Sequence, residues 1–370
     1  MDKTVKRVLE IIEEAGFEAY IVGGYVRDFI LKIKSTDVDI CTNATPKDLQ
    51  IIFKDYSTKS DDYGSFKIVS DKYNFDITTY RKEYKYENRK PIEIEYVNNL
   101  LVDLNRRDIT INAICMNSNG LIIDLLNGIA DLENKVIRVI GEPEMKFIQD
   151  PLRILRVVRF ASLLGFTIEN SVEEAIIRNS DLVRTLSNTR KKEELEKILL
   201  AKNSLSALKL LKMFGLDEAM GIKYDNVVYT DDLCGMYAQL DVDSFYSFTK
   251  EERRSIGIIK EIVLYGKIDR DILFNYGLYF STVAGEIMGL SRKDITAMYE
   301  EMPLTSMSEI EVDANDIMKA LELAPSKMIK IVQDKLKDLI LAGTLVNERQ
   351  EIISYLQNNK GGFSHAENNN

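Results

Sequence analysis

The chain has 370 residues, enough for more than one domain with a sizeable core in each. Hydrophobic residues make up 45% and charged residues 29%, as in soluble globular proteins, and a net charge of −10 excludes indiscriminate coating of nucleic acid while permitting a local basic groove. Three scattered cysteines and a single histidine, His365, exclude a disulfide framework, a zinc cluster and histidine-based triads, so any chemistry runs on carboxylates, arginine or lysine, and metal.

At the N-terminus a charged amphipathic helix is expected over Lys3–Glu14 in place of a secretory leader. No apolar run approaches the roughly 18 residues of a membrane span. The sparse cysteines suit a reducing compartment, and the expected location is cytoplasmic. An apolar strand over Ala19–Val22 and a helix over residues 25–31 flank Gly23-Gly24. Backbone N–H groups at such a turn can approach a phosphate, although many strand–helix turns carry glycine without binding anything. Neither GxxxxGK[ST] nor GxGxxG is present. Arg27, one helical turn on, is placed to reach phosphate oxygens.

The next expected strand, residues 37–41, puts Asp37 and Asp39 on one face and apolar Val38 and Ile40 on the other. Two adjacent like charges are costly without a cation. Carboxylates that hold Mg2+ can activate an attacking hydroxyl and clamp a triphosphate. Two surface acids at a strand end are the other reading. Thr45 is expected to cap a helix opened by Pro46. Strands follow over 66–70, 73–80 and 92–97. Asp76, in the second of these, is either a third metal ligand or an ordinary solvent-facing acid. Residues 117–120 (Asn-Ser-Asn-Gly) read as a hairpin turn between strands 111–116 and 121–125. Just upstream stands Arg106-Arg107-Asp108. Guanidinium forks suit phosphate, and Asp108 or Asn112 suits ribose hydroxyls; a solvated start to a strand is the alternative.

From about residue 143 strand signals vanish. Asp150-Pro151 starts a helix that runs through Leu164 and stops at Gly165. Arg153, Arg156 and Arg159 recur at i, i+3 and i+6 along one face, where they repel one another without acidic partners or a polyanion. The alternative has Asp150 as a simple N-cap and the arginines solvated. Helical patterns recur over 171–351, interrupted near 224–232 and 302–308, with no fixed repeat. The last ten residues look disordered.

In order and spacing, these segments resemble the class II tRNA nucleotidyltransferases, the CCA-adding and poly(A) polymerase family of the DNA polymerase beta superfamily. The matching segments are GGYVRD at 23–28, DVD at 37–39, RRDITINA at 106–113 and DPLRILRVVRF at 150–160. Residues 78–91 resemble the family's flexible loop, 190–199 its neck helix, and 315–318 and 345–349 its C-terminal region. The resemblance covers most of the chain and is strongest through residue 165. It implies an α+β fold, with an N-terminal nucleotidyltransferase head over 1–142 and an elongated helical remainder. That remainder divides into neck (143–205), body (206–300) and tail (301–360), with a disordered end at 361–370.

The resemblance further implies that Asp37 and Asp39 carry catalysis and hold Mg2+. Gly24, Arg27, Arg107, Arg156 and Arg159 would contact the nucleotide, and tRNA would run along the helical part. Asp150 and Arg153 would act as a protein template. Hydrogen-bond chemistry supports that role. Cytosine and adenine both offer an amino donor beside a ring-nitrogen acceptor, which a carboxylate and a guanidinium satisfy. Uracil and guanine reverse both groups, at about 1–3 kcal/mol per mismatch. Two positions depart from the family: Gln149 stands where Glu is usual before the templating Asp, and Thr189 where an acid usually precedes Arg190. The expected activity is addition of C, C and A to tRNA 3′ ends from CTP and ATP. Relatives that add only A or only CC, or that make poly(A), share these motifs. An inactive RNA-binding protein on the same fold is the non-enzymatic alternative. No membrane and no protein partner are implied.

Overall fold

Asp2 opens the first helix, α1 (Lys3–Glu14), by accepting the Thr4 N–H at 2.9 Å. The apolar side of α1 (Val5, Val8, Leu9, Ile12) is buried, as its amphipathic spacing requires. The computed structural model describes residues 1–54, 56, 58–60, 65–69, 72–84, 86–87, 90–91, 93–242, 244, 246–360 and 363, with backbone alone at 58–60, 65, 86–87 and 90–91. These residues form two compact units, Met1–Lys223 with Val242–Ser247, and Tyr224–Asp241 with Phe248–Asn370. The expected disordered end, apart from Phe363, lies outside the described residues, as do His365, Ser70, Arg89 and Ile92.

The first unit is built on a mixed sheet, seven-stranded among the described residues. Its strands are β1 (Ala19–Val22), β2 (Asp37–Thr42), β3 (Thr58–Ser60), β4 (Ser65–Val69) and β5 (Asn74–Thr79), with β10 (Cys115–Met116) and β11 (Ile122–Ile123). The spatial order is β11-β10-β1-β2-β5-β4-β3. Only β2 and β5 pair in parallel among these neighbours. Small ladders join β6 (Arg81–Glu83) to β9 (Ile94–Tyr96) and β7 (Tyr86–Glu87) to β8 (Lys90–Pro91). A core of Val22, Cys41, Tyr80, Leu104, Ala113, Cys115 and Ile140 lies against the sheet.

Between β1 and β2 runs α2 (Gly24–Ile30). After β2, Thr45 and Asp48 form a reciprocal capping box at α3 (Pro46–Ile52), as the Thr-Pro start predicts. Two short helices carry no clear sequence signal. One is α4 (Leu100–Asn105), capped by Asn99; the other is α5 (Gly128–Asn134). The expected strand 111–116 is shorter than its pattern. Thr110–Asn112 is a 3-10 turn, because the Thr110 hydroxyl donates to Asp131 at 2.6 Å and its carbonyl packs against Gly128. Strand 121–125 likewise shrinks to β11, since Asp124 turns to accept the N–H groups of Gly128 and Ile129.

Strand structure does not vanish after residue 143. The two-residue strand β12 (Val136–Ile137) pairs in parallel with β13 (Thr167–Ile168), too short to leave a period. The helices α6 (Pro143–Gln149) and α7 (Leu152–Leu164) meet at Asp150, whose extended backbone breaks the run. Gly165, at φ +67°, ends α7. Then come α8 (Asn170–Asn179), α9 (Asn188–Leu199), α10 (Ser204–Met213) and α11 (Leu216–Met220).

The second unit is helical, from α12 (Leu233–Ala238) through α13 (Lys250–Tyr265), α14 (Arg270–Ile287), α15 (Arg292–Glu300), α16 (Ala314–Leu321) and α17 (Met328–Leu341) to α18 (Arg349–Asn358). It holds two apolar clusters, one around Ile262, Leu273 and Ala284, the other around Ile317, Leu336 and Ile352. No helix among the described residues is long and apolar enough to cross a membrane. An α/β head followed by helices is the α+β class that the sequence predicts.

Candidate functional site: a cleft between the acidic strand and helix α7

A cleft of about 480 Å³ opens in the first unit, and residues from five predicted segments line it. Gly23, Gly24 and Arg27 come from the β1–α2 turn, and Asp39 from β2. Arg107, Asp108 and Asn112 follow α4, while Asp150, Arg153 and Arg156 come from the α6–α7 junction. Arg81, Glu83, Arg106 and Phe160 complete the walls. Asp37, Asp76 and Arg159 do not line it.

On β2 the alternation behaves as expected. Val38 and Ile40 are buried, while Asp37 and Asp39 keep solvent-exposed atoms, Asp39 within the wall of the cleft where part of its hydration is lost. The acidic face closes one pair further on, at buried Cys41. Asp37 accepts from the Asn74 amide at 3.0 Å. Asp39 stands in register with Asp76 on β5, and Asp76 lies 3.7 Å from the Lys67 ammonium. Desolvation holds the Asp39 carboxyl above its usual range; Arg107 and Arg156 oppose that rise, and Asp76 and Asp37 add to it.

Gly23 has no side chain where a β-carbon would fall 2.7 Å from Asp39 Oδ2, so that carboxylate reaches the glycine backbone unhindered. Among the described residues no three His, Cys, Asp or Glu side chains gather as a metal cage. Two carboxylates with the remaining coordination left to water and phosphate is a donor set that hard divalent cations accept. The residues fit such an ion on those terms.

The arginines differ from expectation in one respect: they have acidic partners. Asp108 lies 3.2 Å from Arg153 Nε and 2.8 Å from Arg156 Nε. Arg159 donates to Glu194 on α9 at 2.7 Å and stacks 4.2 Å from the Phe160 ring. Arg153 is 5% exposed, which excludes the solvated-stripe reading for it. Asp108 is thereby engaged with guanidiniums. Arg27 donates to Asp28 and to the Asn112 carbonyl oxygen, the latter at 2.7 Å.

The pair Arg106-Arg107 does not begin a strand. It follows α4, whose Asp103 accepts Arg106 Nε at 2.8 Å and Arg107 Nη2 at 3.1 Å. Asp103 is fully buried. Burial works against the charge of Arg107 more than any single neighbour favours it, but Asp103, Cys41, Cys115 and Asp39 together outweigh it and the guanidinium is held more firmly protonated than usual. Glu83, bonded to Arg81 and 3.5 Å from Arg106, is a second organising acid. Sequence reading missed Asp103 and Glu83. The i, i+3, i+4 spacing of Asp103 with the two arginines was the available signal.

At the α6–α7 junction Asp150 Oδ1 accepts the Leu152 N–H at 3.1 Å, so a helix-capping role and a place in the cleft coexist. Arg153 Nη2 donates to the Arg106 carbonyl at 3.1 Å. Its Nη1, like Arg107 Nε, is a buried donor without a hydrogen-bond partner. A buried unmade bond costs about 1–3 kcal/mol, and a ligand acceptor would relieve it. The cleft thus joins Asp39, one of the two strand carboxylates suited to a cation, with clustered guanidiniums suited to a polyanion and an Asp–Arg pair suited to a base edge.

Residues 19–138 match the family model described as the poly A polymerase head domain. Residues 165–220 match one described as a probable RNA and SrmB-binding site of polymerase A. The CCA-adding enzyme of Ligilactobacillus salivarius is 31% identical, over 94% of each chain. The Bacillus stearothermophilus CCA-adding enzyme, solved in complex with CTP, has a TM-score of 0.81 at 25% identity, covering 99% of this chain and 100% of that one. The Thermotoga maritima CCA-adding enzyme, solved with tRNA, shares the fold at a TM-score of 0.71 and 21% identity, covering 96% and 95%. With identity above 30% over nearly the full length of both chains, the chain belongs to the CCA-adding enzyme family.

Proposed function

We propose that this enzyme adds C, C and A in turn to tRNA 3′ ends, using CTP and ATP and releasing pyrophosphate. The observation that carries the reading is the single cleft holding Asp39 beside Gly23-Gly24 at one part and the Asp150–Arg153 pair at another. The terminal 3′-hydroxyl attacks the α-phosphate in line, and the α–β phosphoanhydride bond breaks as the new ester forms. Asp37 and Asp39 would hold Mg2+, which when bound supplies Lewis-acid activation of the hydroxyl and neutralisation of the triphosphate. Asp76 stays a candidate second neighbour to that ion through its register with Asp39.

Gly24, Arg27, Arg107 and Arg156 bind the nucleotide's phosphates and sugar, with Asp108 and Asn112 orienting the guanidiniums that do so. Arg159, set back from the cleft, supports Phe160 and ties α7 to Glu194. Asp150 accepts from the amino group of C or A, and Arg153 donates to the adjacent ring nitrogen. The chain divides on this reading into head (1–142), neck (143–205), body (206–300) and tail (301–360), with tRNA bound by helical residues. Three free cysteines, two of them buried, suit a cytoplasmic setting.

Incubation with tRNA lacking CCA, and with labelled CTP and ATP separately and together, tests the reading. Incorporation of A without C defeats it, and long A tracts point to poly(A) synthesis. Asp37→Ala is expected to abolish incorporation while leaving tRNA binding largely intact. Full turnover in that variant removes the assigned role of the acidic strand.

A further inference from the structure

Lys146 takes no part in the roles described above, yet it is half-buried behind the arginine wall. It lies on α6, four residues before Asp150. Its ammonium donates to the carbonyl of Asn105 at 2.6 Å and to that of Arg107 at 3.2 Å. The carbonyl between them, on Arg106, accepts from Arg153. Three consecutive backbone oxygens are therefore held by cations from the α6–α7 segment. Asn105 is also the last residue of α4, where helix carbonyls have no partner and carry partial negative charge.

On the opposite side, Asp103 holds the side chains of Arg106 and Arg107. The segment 105–107 is thus gripped from both directions, by its side chains and by its carbonyls. Through Lys146, the wall that faces the phosphates and the wall that reads the base become one piece.

We propose that Lys146 is a positioning residue that fixes Arg107 relative to Asp150 and Arg153, and so sets how strictly the enzyme distinguishes C and A from U and G. This rests on the nucleotidyl-transfer reading above. Loss of the ammonium leaves two carbonyls unheld and lets the α6–α7 junction shift against the arginines. A misplacement of about 1 Å in a reacting complex costs up to about a hundredfold.

Burial pushes the Lys146 ammonium down to about 8, with Arg153 and Arg106 adding to the fall and Asp108 and Glu83 opposing it. The clamp is therefore expected to loosen in mildly alkaline solution.

The test measures kcat/KM for CTP and for UTP on tRNA lacking CCA, in wild type, Lys146→Met and Lys146→Arg. The CTP-to-UTP ratio does not depend on the fraction of active enzyme, so a merely structural role would leave it in place. The expected result is a ratio reduced about tenfold or more in the Met variant and retained in the Arg variant. An unchanged ratio in Lys146→Met overturns the proposal. If that variant does not fold, the pH profile decides. Between about pH 7 and 9 the wild-type ratio is expected to fall relative to that of Lys146→Arg, whose charge persists. Parallel profiles overturn the proposal. Wild-type enzyme that adds neither C nor A would instead sink the underlying reading.

Discussion

Gly23 faces Asp39 so closely that a β-carbon on the glycine would stand 2.7 Å from the carboxylate oxygen. The glycine also holds φ +83° and ψ −146°, a conformation that side chains strongly disfavour. Gly23→Ala is expected to cost about 1–3 kcal/mol of stability through the backbone alone. Because the carboxylate must also move, incorporation of CTP is expected to fall by about tenfold or more. Thermal melting and steady-state incorporation check the two effects, and an alanine variant with wild-type values in both would show the contact to be slack.

Asp39 gives predictions of opposite sign for stability and for activity. Its folded pKa is raised, so the folded state takes up a proton before the unfolded state does. The charged carboxylate therefore weakens the fold at neutral pH. That burden lifts as the pH falls through the folded pKa towards the unfolded value. Asp39→Asn is expected to melt above wild type at neutral pH without divalent cation, and to be inactive. Activity of the wild type should decline on the acid side, since a protonated Asp39 cannot hold a cation. Raising Mg2+ should move that decline to lower pH. An acid limb indifferent to Mg2+ would assign the titration to another group.

Asp103 accepts from Arg106 and Arg107 while wholly shielded from water. Asp103→Asn leaves two guanidiniums facing each other, and breaking such a buried pair costs about 3–5 kcal/mol. A urea-unfolding midpoint equal to that of wild type would refute this accounting of the charge cluster.

Asp108 is a local anion in the arginine-lined cleft, held between Arg153 and Arg156. Asp108→Asn makes the cleft more positive and releases both guanidiniums from that carboxylate, Arg153 keeping its bond to the Arg106 carbonyl. Calorimetry is expected to show tighter binding of any nucleoside triphosphate, with CTP and UTP becoming alike. Weaker binding with discrimination intact would mean that Asp108 touches the ligand directly.

Local signals predicted local structure well. Thr45-Pro46 and Gly165 mark helix ends because each acts through neighbours within one turn. The alternation of Asp37, Val38, Asp39 and Ile40 specifies a strand and its two faces. What was not legible depends on partners far along the chain. Asp108 meets Arg153 and Arg156 only after a sheet, two helices and a junction have formed, so the arginine stripe looked unpaired. Ile111 and Asn112 leave the expected strand because Asp131 holds the hydroxyl of the neighbouring Thr110. The strands β12 and β13 are too short to show any alternation. Lys146 resembles an ordinary helix-surface lysine until the carbonyls of another segment surround it.

Asp103 has one more consequence. Long side chains that must be ordered on binding lose about 0.5–1.5 kcal/mol each in rotamer freedom. Arg106 and Arg107 have already lost it to a resident carboxylate, so under the proposed function a triphosphate bound by Arg107 meets a counter-charge standing in place. On that reading the departure of pyrophosphate leaves the guanidiniums still held by the same anion. A catalyst that must reload twice on one acceptor gains from a grip that resets itself.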